Sequence, residues 1–185
     1  MVLTKTPICN FGEKTKSFEL KGIDGKLHKL EDHIGKNGLL IMFICNHCPY
    51  VKAIIRDIVE DCKNLKKEGV NSIAIMSNDT KEYPEDSFEN MKIFSKKFNF
   101  SFPYLIDETQ EIAKEYGAVC TPDFFGYNNK LELQYRGRIR ELKDLKPVSN
   151  SESDLLKAMR LIIKTRKGPK NQIPSMGCNL SLIHI

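Results

Sequence analysis

Residues 39–49 read Leu39-Leu40-Ile41-Met42-Phe43-Ile44-Cys45-Asn46-His47-Cys48-Pro49, and this stretch decides the fold class. Six consecutive apolar residues predict a central parallel strand that is covered on both faces. Cys45 and Cys48 follow this strand and open a predicted helix, which tolerates Pro49 in its first turn. Two thiols at this spacing can form and break a disulfide, and a helix N-terminus favours a thiolate. The stretch therefore predicts a redox-active cysteine pair.

The flanking sequence predicts alternating strands and helices. Residues 18–30 alternate around Asp24-Gly25, which is typical of a β-hairpin. A helix after the cysteines, ended by Gly69, and an apolar strand at 70–76 make a strand–helix–strand unit with parallel pairing. Further along, the sequence predicts an inserted helix opened by Pro84, a short helix from 107 to 117, a hairpin over 123–136 with its turn at Asn128-Asn129, and a last helix from Ser151 to Gly168.

Composition indicates an ordinary globular domain. The chain has 185 residues, of which 41% are hydrophobic and 29% charged, which suits one domain; we place it at 1–169, with a loose tail at 170–185 after Gly168-Pro169. The net charge of +5 is spread along the chain, and the basic run from Lys164 to Lys170 lacks interleaved aromatic residues, so nucleic-acid binding is not expected. No membrane span or apolar signal core is evident, so we expect a cytoplasmic protein.

The order of elements, together with Thr121-Pro122 before a predicted strand, resembles the thioredoxin fold in its peroxiredoxin-like branch. The segments 117–125, Gly-Ala-Val-Cys-Thr-Pro-Asp-Phe-Phe, and 135–138, Tyr-Arg-Gly-Arg, are similar to a peroxiredoxin-like family of the AhpC/TSA and redoxin superfamily. The resemblance covers a core at about 12–166, and it implies an α/β thioredoxin-like fold with a central mixed sheet flanked by helices, an N-terminal hairpin and an inserted helix. It also implies an oxidoreductase without a cofactor other than its own disulfide.

Each residue of the motif has a predicted role. Cys45 is expected to be the attacking thiol, because it should be the more exposed of the pair and have a lowered pKa at the helix N-terminus. Cys48 is expected to resolve the mixed disulfide. A partly cationic His47 would favour the Cys45 thiolate, with Asn46 and Pro49 supporting the site.

The resemblance adds residues from the rest of the chain. Pro122 is expected to be a cis-proline that turns the Thr121 backbone toward the cysteine pair and offers a short edge to a partner peptide. Cys120 should lie near the pair, as a small buried side chain, a third redox thiol or a metal ligand. Cys178 could fold back from the tail as a second resolving cysteine.

Two further predictions concern residues outside this motif. Cys62 lies on the apolar stripe of the first helix and is expected to be an inert core residue. Arg136, Arg138 and Arg140 alternate along a strand, where a solvated face is favoured over an anion site.

Three functions remain open at this point. The first is thiol–disulfide exchange with a protein thiol, a protein disulfide or a small-molecule thiol. The second is a thiol-dependent peroxidase with antioxidant activity; in the pattern Pro-x-x-x-Thr-x-x-Cys of typical peroxiredoxins, Ile41 and Cys45 take the Pro and Thr positions and Cys48 the peroxidatic position, a departure that favours exchange. The third is a module that binds copper or zinc through Cys45 and Cys48. A homodimer is compatible with each.

Overall fold

The computed structural model describes residues 3–181, which contain twelve β-strands and four α-helices. The strands are β1 (Leu3–Lys5), β2 (Glu19–Gly22), β3 (Leu27–Lys29), β4 (Gly38–Phe43), β5 (Val70–Met76), β6 (Tyr104–Ile106), β7 (Cys120–Thr121), β8 (Asp123–Asn128), β9 (Leu133–Tyr135), β10 (Leu142–Lys143), β11 (Lys146–Pro147) and β12 (Met176–Asn179). The helices are α1 (Pro49–Lys67), α2 (Phe88–Phe98), α3 (Glu111–Glu115) and α4 (Asp154–Thr165).

Seven strands form the central mixed sheet, in the order β3-β2-β6-β5-β4-β8-β9. The pairs β4–β5 and β5–β6 are parallel, and β4–β8 is antiparallel. This confirms the predicted α/β fold, the strand–helix–strand unit and the N-terminal hairpin, in which β2 and β3 pair across the Asp24-Gly25 turn. No helix within residues 3–181 is long and apolar enough to cross a membrane.

Strand β4 is buried on both faces, as its unbroken apolar run predicts. Leu40 and Met42 pack with α1 and α4 in one core cluster, whereas Leu39, Ile41 and Phe43 pack in a second cluster on the other face, which includes Ala113 of α3. The alternation follows from the two-residue period of a strand. A strand held on both sides fixes the position of the residues that follow it, which are those of the cysteine motif.

The inserted segment between β5 and β6 contributes a helix and a turn. Pro84 opens a short 3-10 turn, Pro84–Asp86, and α2 begins only after Ser87, whose side chain caps it by accepting from the Asn90 N–H. The sequence predicted one helix from Pro84, so the break at Ser87 is a correction. It leaves the Asp86 side chain buried and pointing back into the protein.

The tail is not loose as far as residue 181. Strand β12 lies between β1 and β7 in a three-stranded antiparallel sheet, with Cys178 opposite Thr121. A β-carbon on Gly177 would lie 2.0 Å from the Thr121 carbonyl oxygen, so glycine is required for this close approach. The segment after the predicted domain boundary at residue 169 therefore contains a strand that completes the domain. Residues 182–185 lie outside the described residues.

Arg136 also departs from its predicted place on a solvated face. Its guanidinium is buried, bonds both carboxylate oxygens of Asp123 at 2.9 and 3.3 Å and donates to the Gly117 carbonyl at 2.6 Å. Arg138 and Arg140 are more exposed and pair with Asp154 and Asp57. Because Asp123 directly follows the Thr121-Pro122 peptide, the buried pair anchors the strand that leaves the site.

Replacing Arg136 with methionine should destabilise the protein by about 3–5 kcal/mol, because it leaves a buried carboxylate without its partner. Burial raises the pKa of Asp123 to about 6, so urea unfolding is best measured at pH 8, where Asp123 is ionised. Arg138→Met is the matched control and should cost about 1 kcal/mol or less, because its ion pair with Asp154 is partly solvated. Equal, small losses in both variants would contradict the anchoring role of Arg136.

Candidate active site

The cysteine motif lies where β4 ends and α1 begins. Cys48 is the N-cap residue of α1 and Pro49 its first helical residue, as predicted. The prediction that Cys45 is the more exposed thiol is wrong, because Cys45 and Cys48 are both fully buried. Strand β12, which lies in the segment predicted to be a loose tail, pairs with β7 and packs Cys178 against Cys48.

The cysteines are held by the strand that precedes the cis-proline. The Thr121-Pro122 peptide is cis, as predicted. The Thr121 hydroxyl lies 3.3 Å from the Cys45 sulfur, and the Thr121 carbonyl oxygen lies 3.1 Å from the Cys48 sulfur. The backbone edge of Thr121, which was expected to be open to a partner peptide, is taken by β12. The Sγ of Cys178 on that strand is 3.2 Å from the Sγ of Cys48.

Cys48 is the thiol with the lowered pKa, and the prediction that it would be Cys45 is wrong. The Cys45 thiol donates a hydrogen bond to Cys48, and this donation outweighs burial and lowers the pKa of Cys48 to about 5. The Val51 N–H and the Cys178 thiol also lower the pKa of Cys48. The Cys48 side chain makes no capping hydrogen bond to α1 within the geometric limits. Burial and the neighbouring Cys48 and Asp86 charges raise the pKa of Cys45 well above its ordinary value.

Asp86 was not predicted from the sequence, and it organises the motif. One carboxylate oxygen accepts from the backbone N–H groups of Asn46, at 2.7 Å, and His47, at 3.1 Å. The other oxygen lies 2.6 Å from His47 Nδ1 and 2.9 Å from Asn78 Nδ2. Burial alone would raise the pKa of Asp86, but the hydrogen bonds from His47 and Asn78 outweigh it and hold the pKa below its ordinary value.

His47 is cationic over a wider pH range than a free histidine. The hydrogen bond to Asp86 is the largest effect that raises the pKa of His47, and the Cys48 charge adds to it. The Tyr83 ring stacks on the imidazole at 4.5 Å between centroids. Asn46 is held as well, because its side chain donates to the Glu85 carbonyl at 3.1 Å and accepts from the Tyr104 hydroxyl at 3.0 Å.

The cysteines outside the motif differ in whether they reach the Cys45–Cys48 pair. Cys120 is buried beside the site, but its sulfur donates to the Pro122 carbonyl at 3.7 Å and forms no hydrogen bond with another cysteine within residues 3–181. Burial is the main cause that raises the pKa of Cys120 far above its ordinary value. Cys62 lies in the core against Met42, as predicted. Cys178 is the cysteine outside the motif whose sulfur is recorded within hydrogen-bond distance of the pair, among residues 3–181.

Three side chains of the site have donor atoms that could surround a metal ion. The atoms of Cys45, His47 and Asp86 lie within 4.8 Å of one another. Thiolate and imidazole suit zinc or copper. However, the Asp86 carboxylate already accepts four hydrogen bonds, and a metal ion would have to displace the one from His47. The arrangement therefore fits thiol chemistry better than a metal centre.

Comparison with known proteins places this geometry in a family. The family model described as "AhpC/TSA family" matches residues 11–142. The chain belongs to the AhpC/TSA family. This confirms the predicted membership of the AhpC/TSA and redoxin superfamily.

Individual relatives agree with the family match. Thiol-disulfide oxidoreductase ResA of Bacillus thuringiensis subsp. konkukian is 28% identical over 122 residues, which are 66% of this chain and 66% of ResA. Chloroplastic peroxiredoxin Q of Populus jackii is 28% identical over 117 residues, which are 63% of this chain but only 50% of that protein. The chain thus matches less than two thirds of the length of these curated relatives.

A solved structure matches nearly the whole fold. An uncharacterized conserved protein from Geobacillus kaustophilus superimposes with a TM-score of 0.94 and 36% identity, over 99% of this chain and 97% of the other. At this coverage the superposition extends over nearly all of this chain.

Replacing Asp86 with asparagine should lower the pKa of His47, because the anion that holds its proton is gone. The measurement is an NMR pH titration of the His47 ring protons. Glu85→Gln is the matched control, since Glu85 is a minor contributor to the raised pKa of His47, and it should shift that pKa much less. An unchanged His47 pKa in Asp86→Asn would contradict the assigned pairing.

Proposed function

We propose that the protein is a thiol–disulfide oxidoreductase that exchanges electrons through the Cys45–Cys48 pair. The observation that carries this proposal is the buried Cys48 sulfur at the N-terminus of α1, which receives the Cys45 thiol proton as a hydrogen bond. A thiolate next to a second thiol is the arrangement that disulfide exchange requires. The AhpC/TSA match and the 28% identity with ResA support it.

Cys48 takes the role of the nucleophile in this proposal, and Cys45 that of the resolving thiol. The Cys48 thiolate attacks one sulfur of a disulfide R–S–S–R, the S–S bond breaks and RS⁻ leaves. Cys45 then gives its proton to RS⁻ and attacks the Cys48 sulfur, which forms the Cys45–Cys48 disulfide and expels the second RS⁻. Two electrons pass from the protein to the substrate, and the reverse sequence oxidises a dithiol.

The His47–Asp86 pair stabilises the reduced form of the site. The His47 cation and the Cys48 thiolate attract each other, as the upward effect of Cys48 on the pKa of His47 shows. The Asp86 charge keeps His47 protonated and lies on the side of Cys45, where it raises the pKa of that thiol. The same pair therefore favours a thiolate at Cys48 and a proton at Cys45.

A thiol-dependent peroxidase is the second candidate, and the lowered pKa of Cys48 favours it. Cys48 occupies the peroxidatic position, and peroxiredoxin Q is among the relatives. A peroxide would oxidise the Cys48 thiolate to a sulfenic acid, and Cys45 would then form the disulfide and release water. However, the Thr121 hydroxyl contacts Cys45 and forms no hydrogen bond with Cys48. Disulfide exchange thus remains the better supported function.

The substrates in this proposal are protein thiols, protein disulfides or small-molecule thiols. A buried pair covered by β12 requires a substrate that can reach a narrow site, which favours small or flexible disulfides. The cytoplasmic location, the antioxidant activity and the homodimer stay predictions.

Cys48→Ser should lower the rate of exchange with oxidised glutathione by several orders of magnitude, because it removes the nucleophile. The rate is measured by stopped-flow or by acid quench of the fully reduced protein at pH 7. Cys62→Ser is the matched control, since Cys62 lies in the core away from the site and should leave the rate unchanged. Exchange at the wild-type rate in Cys48→Ser would rule out the proposed function.

One equivalent of oxidised glutathione should oxidise the reduced protein faster than one equivalent of hydrogen peroxide, with Cys45–Cys48 as the final disulfide. The physical reason is that Cys45 stands where typical peroxiredoxins have a threonine hydroxyl, so peroxide lacks that donor at Cys48. Mass-spectrometric mapping of both products gives the comparison. Faster oxidation by peroxide, through a sulfenic acid on Cys48, would transfer the function to the peroxidase.

A further inference from the structure

Strand β12 occupies the backbone edge that a substrate peptide would use. It pairs antiparallel with β7, with Cys178 opposite Thr121 and Asn179 opposite Cys120. Adding a strand to an exposed edge is a general mode of peptide recognition, in which the backbone supplies affinity and a side chain the specificity. Here the chain supplies that strand itself, and the side chain that it presents to the cysteine pair is another cysteine.

The strand is anchored on both sides of Cys178. Before it, the Ser175 carbonyl accepts from the Thr6 N–H at 2.9 Å, and the Ser175 hydroxyl donates to the Pro122 carbonyl at 2.8 Å. After it, the Leu180 N–H donates to the Val119 carbonyl at 3.1 Å. These bonds fix the position of Cys178 along β7 and therefore the distance between its sulfur and that of Cys48.

The anchoring continues into the catalytic loop. The Ser181 N–H donates to the side-chain oxygen of Asn78 at 3.1 Å, and the amide nitrogen of the same Asn78 donates to Asp86 at 2.9 Å. The Ser181 carbonyl also accepts from Gln110 at 2.7 Å and from the Asp79 N–H at 3.1 Å. Asn78 thus links Ser181, which follows β12, to the Asp86 carboxylate that organises the cysteine motif.

Three thiols interact in a row, Cys45 with Cys48 and Cys48 with Cys178. The Cys48 and Cys178 sulfurs lie 3.2 Å apart, and Cys48 is the thiol that interacts with both others. A disulfide has an S–S length of about 2.05 Å, so closing the Cys48–Cys178 pair requires a movement of only about 1 Å. Cys45 and Cys48 are 0% exposed, whereas Cys178 is 6% exposed, which makes Cys178 the outermost sulfur of the row.

We propose that Cys178 is the third redox thiol of this site, and that it carries the exchange between disulfides in solution and the buried Cys45–Cys48 pair through a transient Cys48–Cys178 disulfide. This inference rests on the proposed function. It assigns the entry point of that function, and it places the direct attack on the outside disulfide at Cys178 instead of Cys48.

The relay balances in three steps. Cys178 gives its proton to the Cys48 thiolate and attacks R–S–S–R, which forms Cys178–S–S–R and releases RS⁻. Cys48 then gives that proton to RS⁻ and attacks the Cys178 sulfur, which forms the Cys48–Cys178 bond and expels the second RS⁻. Finally Cys45 attacks the Cys48 sulfur, which forms Cys45–Cys48, while the proton of Cys45 passes to the freed Cys178. Two electrons reach the substrate, and no other oxidant is needed.

The first step requires Cys48 to accept the proton of Cys178. Burial and the hydrogen bond to Cys48 raise the pKa of Cys178 to about 12, so Cys178 keeps its proton until a base accepts it. Cys48 is that base and lies within hydrogen-bond distance. Because the Cys48 thiolate is the weaker base of the two, this proton transfer is coupled to the attack on the disulfide and does not precede it.

The test maps the position of bound glutathione on variants of this chain in which one cysteine is replaced. Reduced Cys48→Ser is mixed with one equivalent of oxidised glutathione at pH 7, quenched with acid, alkylated and analysed by mass spectrometry. Because this variant lacks the Cys48 base, the reaction is slow, and we expect the glutathione that does bind to be on Cys178, with Cys45 unmodified. Glutathione on Cys45 with a free Cys178 would overturn the relay.

Two more variants test the relay in case Cys48→Ser does not fold. Cys45→Ser retains Cys48 and Cys178 and should yield the Cys48–Cys178 disulfide, whereas a lasting mixed disulfide on Cys48 would contradict the proposal. Cys178→Ser should slow oxidation of the Cys45–Cys48 pair at least about tenfold, because the entry thiol is lost. Cys9→Ser, which alters a cysteine outside the sulfur row, is its control and should oxidise at the wild-type rate.

The outcomes separate the two proposals. Normal exchange in the wild-type protein with full activity in Cys178→Ser would reject the relay and keep the oxidoreductase. A wild-type protein that forms no disulfide at all with glutathione would reject the proposed function together with the relay. Circular dichroism of each variant confirms that a slow rate reflects the missing thiol and not an unfolded chain.

Discussion

The buried carboxylate of Asp86 is the contact on which the site depends. It accepts hydrogen bonds from the backbone N–H groups of Asn46 and His47, from the His47 ring and from Asn78. A buried charge is tolerated only when it is paired and fully hydrogen-bonded, and these four donors meet that condition. Because two of the donors are backbone groups between the cysteines, the carboxylate fixes the path of the chain from one thiol to the other. The inserted segment is therefore part of the redox centre.

Burial of the cysteine pair reverses the roles that the motif alone predicts. In an open site the first cysteine would be the exposed thiol with the lowered pKa. Here both sulfurs are buried and β12 packs Cys178 against Cys48, so the effect of a thiol neighbour outweighs that of solvent. Cys48 has donors on two sides, Cys45 and Cys178, as well as the N-terminus of α1, whereas Cys45 faces the Asp86 charge. The negative charge therefore settles on the second cysteine.

Local sequence patterns were sufficient for the frame of the fold. The apolar run of β4, the parallel strand β5 and the hairpin of β2 and β3 all depend on periodicity and turn residues, which a sequence displays directly. The short strand β6 escaped prediction, since three residues are too few to show a period. Its place in the sheet is determined by pairing with β5 and β2, which is a tertiary property.

The site was predicted in part for the same reason. Cys45, Cys48, His47 and Pro122 stand in motifs, and the sequence names them. Asp86 is an ordinary acidic residue after Pro84-Glu85, and no local signal distinguishes it from its exposed neighbours. Its role arises only when the insertion folds over the motif. A carboxylate with this role is identified by counting hydrogen-bond donors around a buried charge, which requires coordinates.

Strand β12 protects the cysteine pair from water but also restricts the access of substrates to it. Covering a reactive dithiol removes it from water and stabilises a thiolate through neighbouring donors, but it also closes the edge at Thr121 to other chains. A cysteine on the covering strand resolves this conflict, because exchange then proceeds through the cover without its removal. Gly177 permits the close approach to Thr121, and Cys178 follows it with its sulfur beside Cys48. The pair Gly177-Cys178 thus combines the seating of the strand with its chemistry.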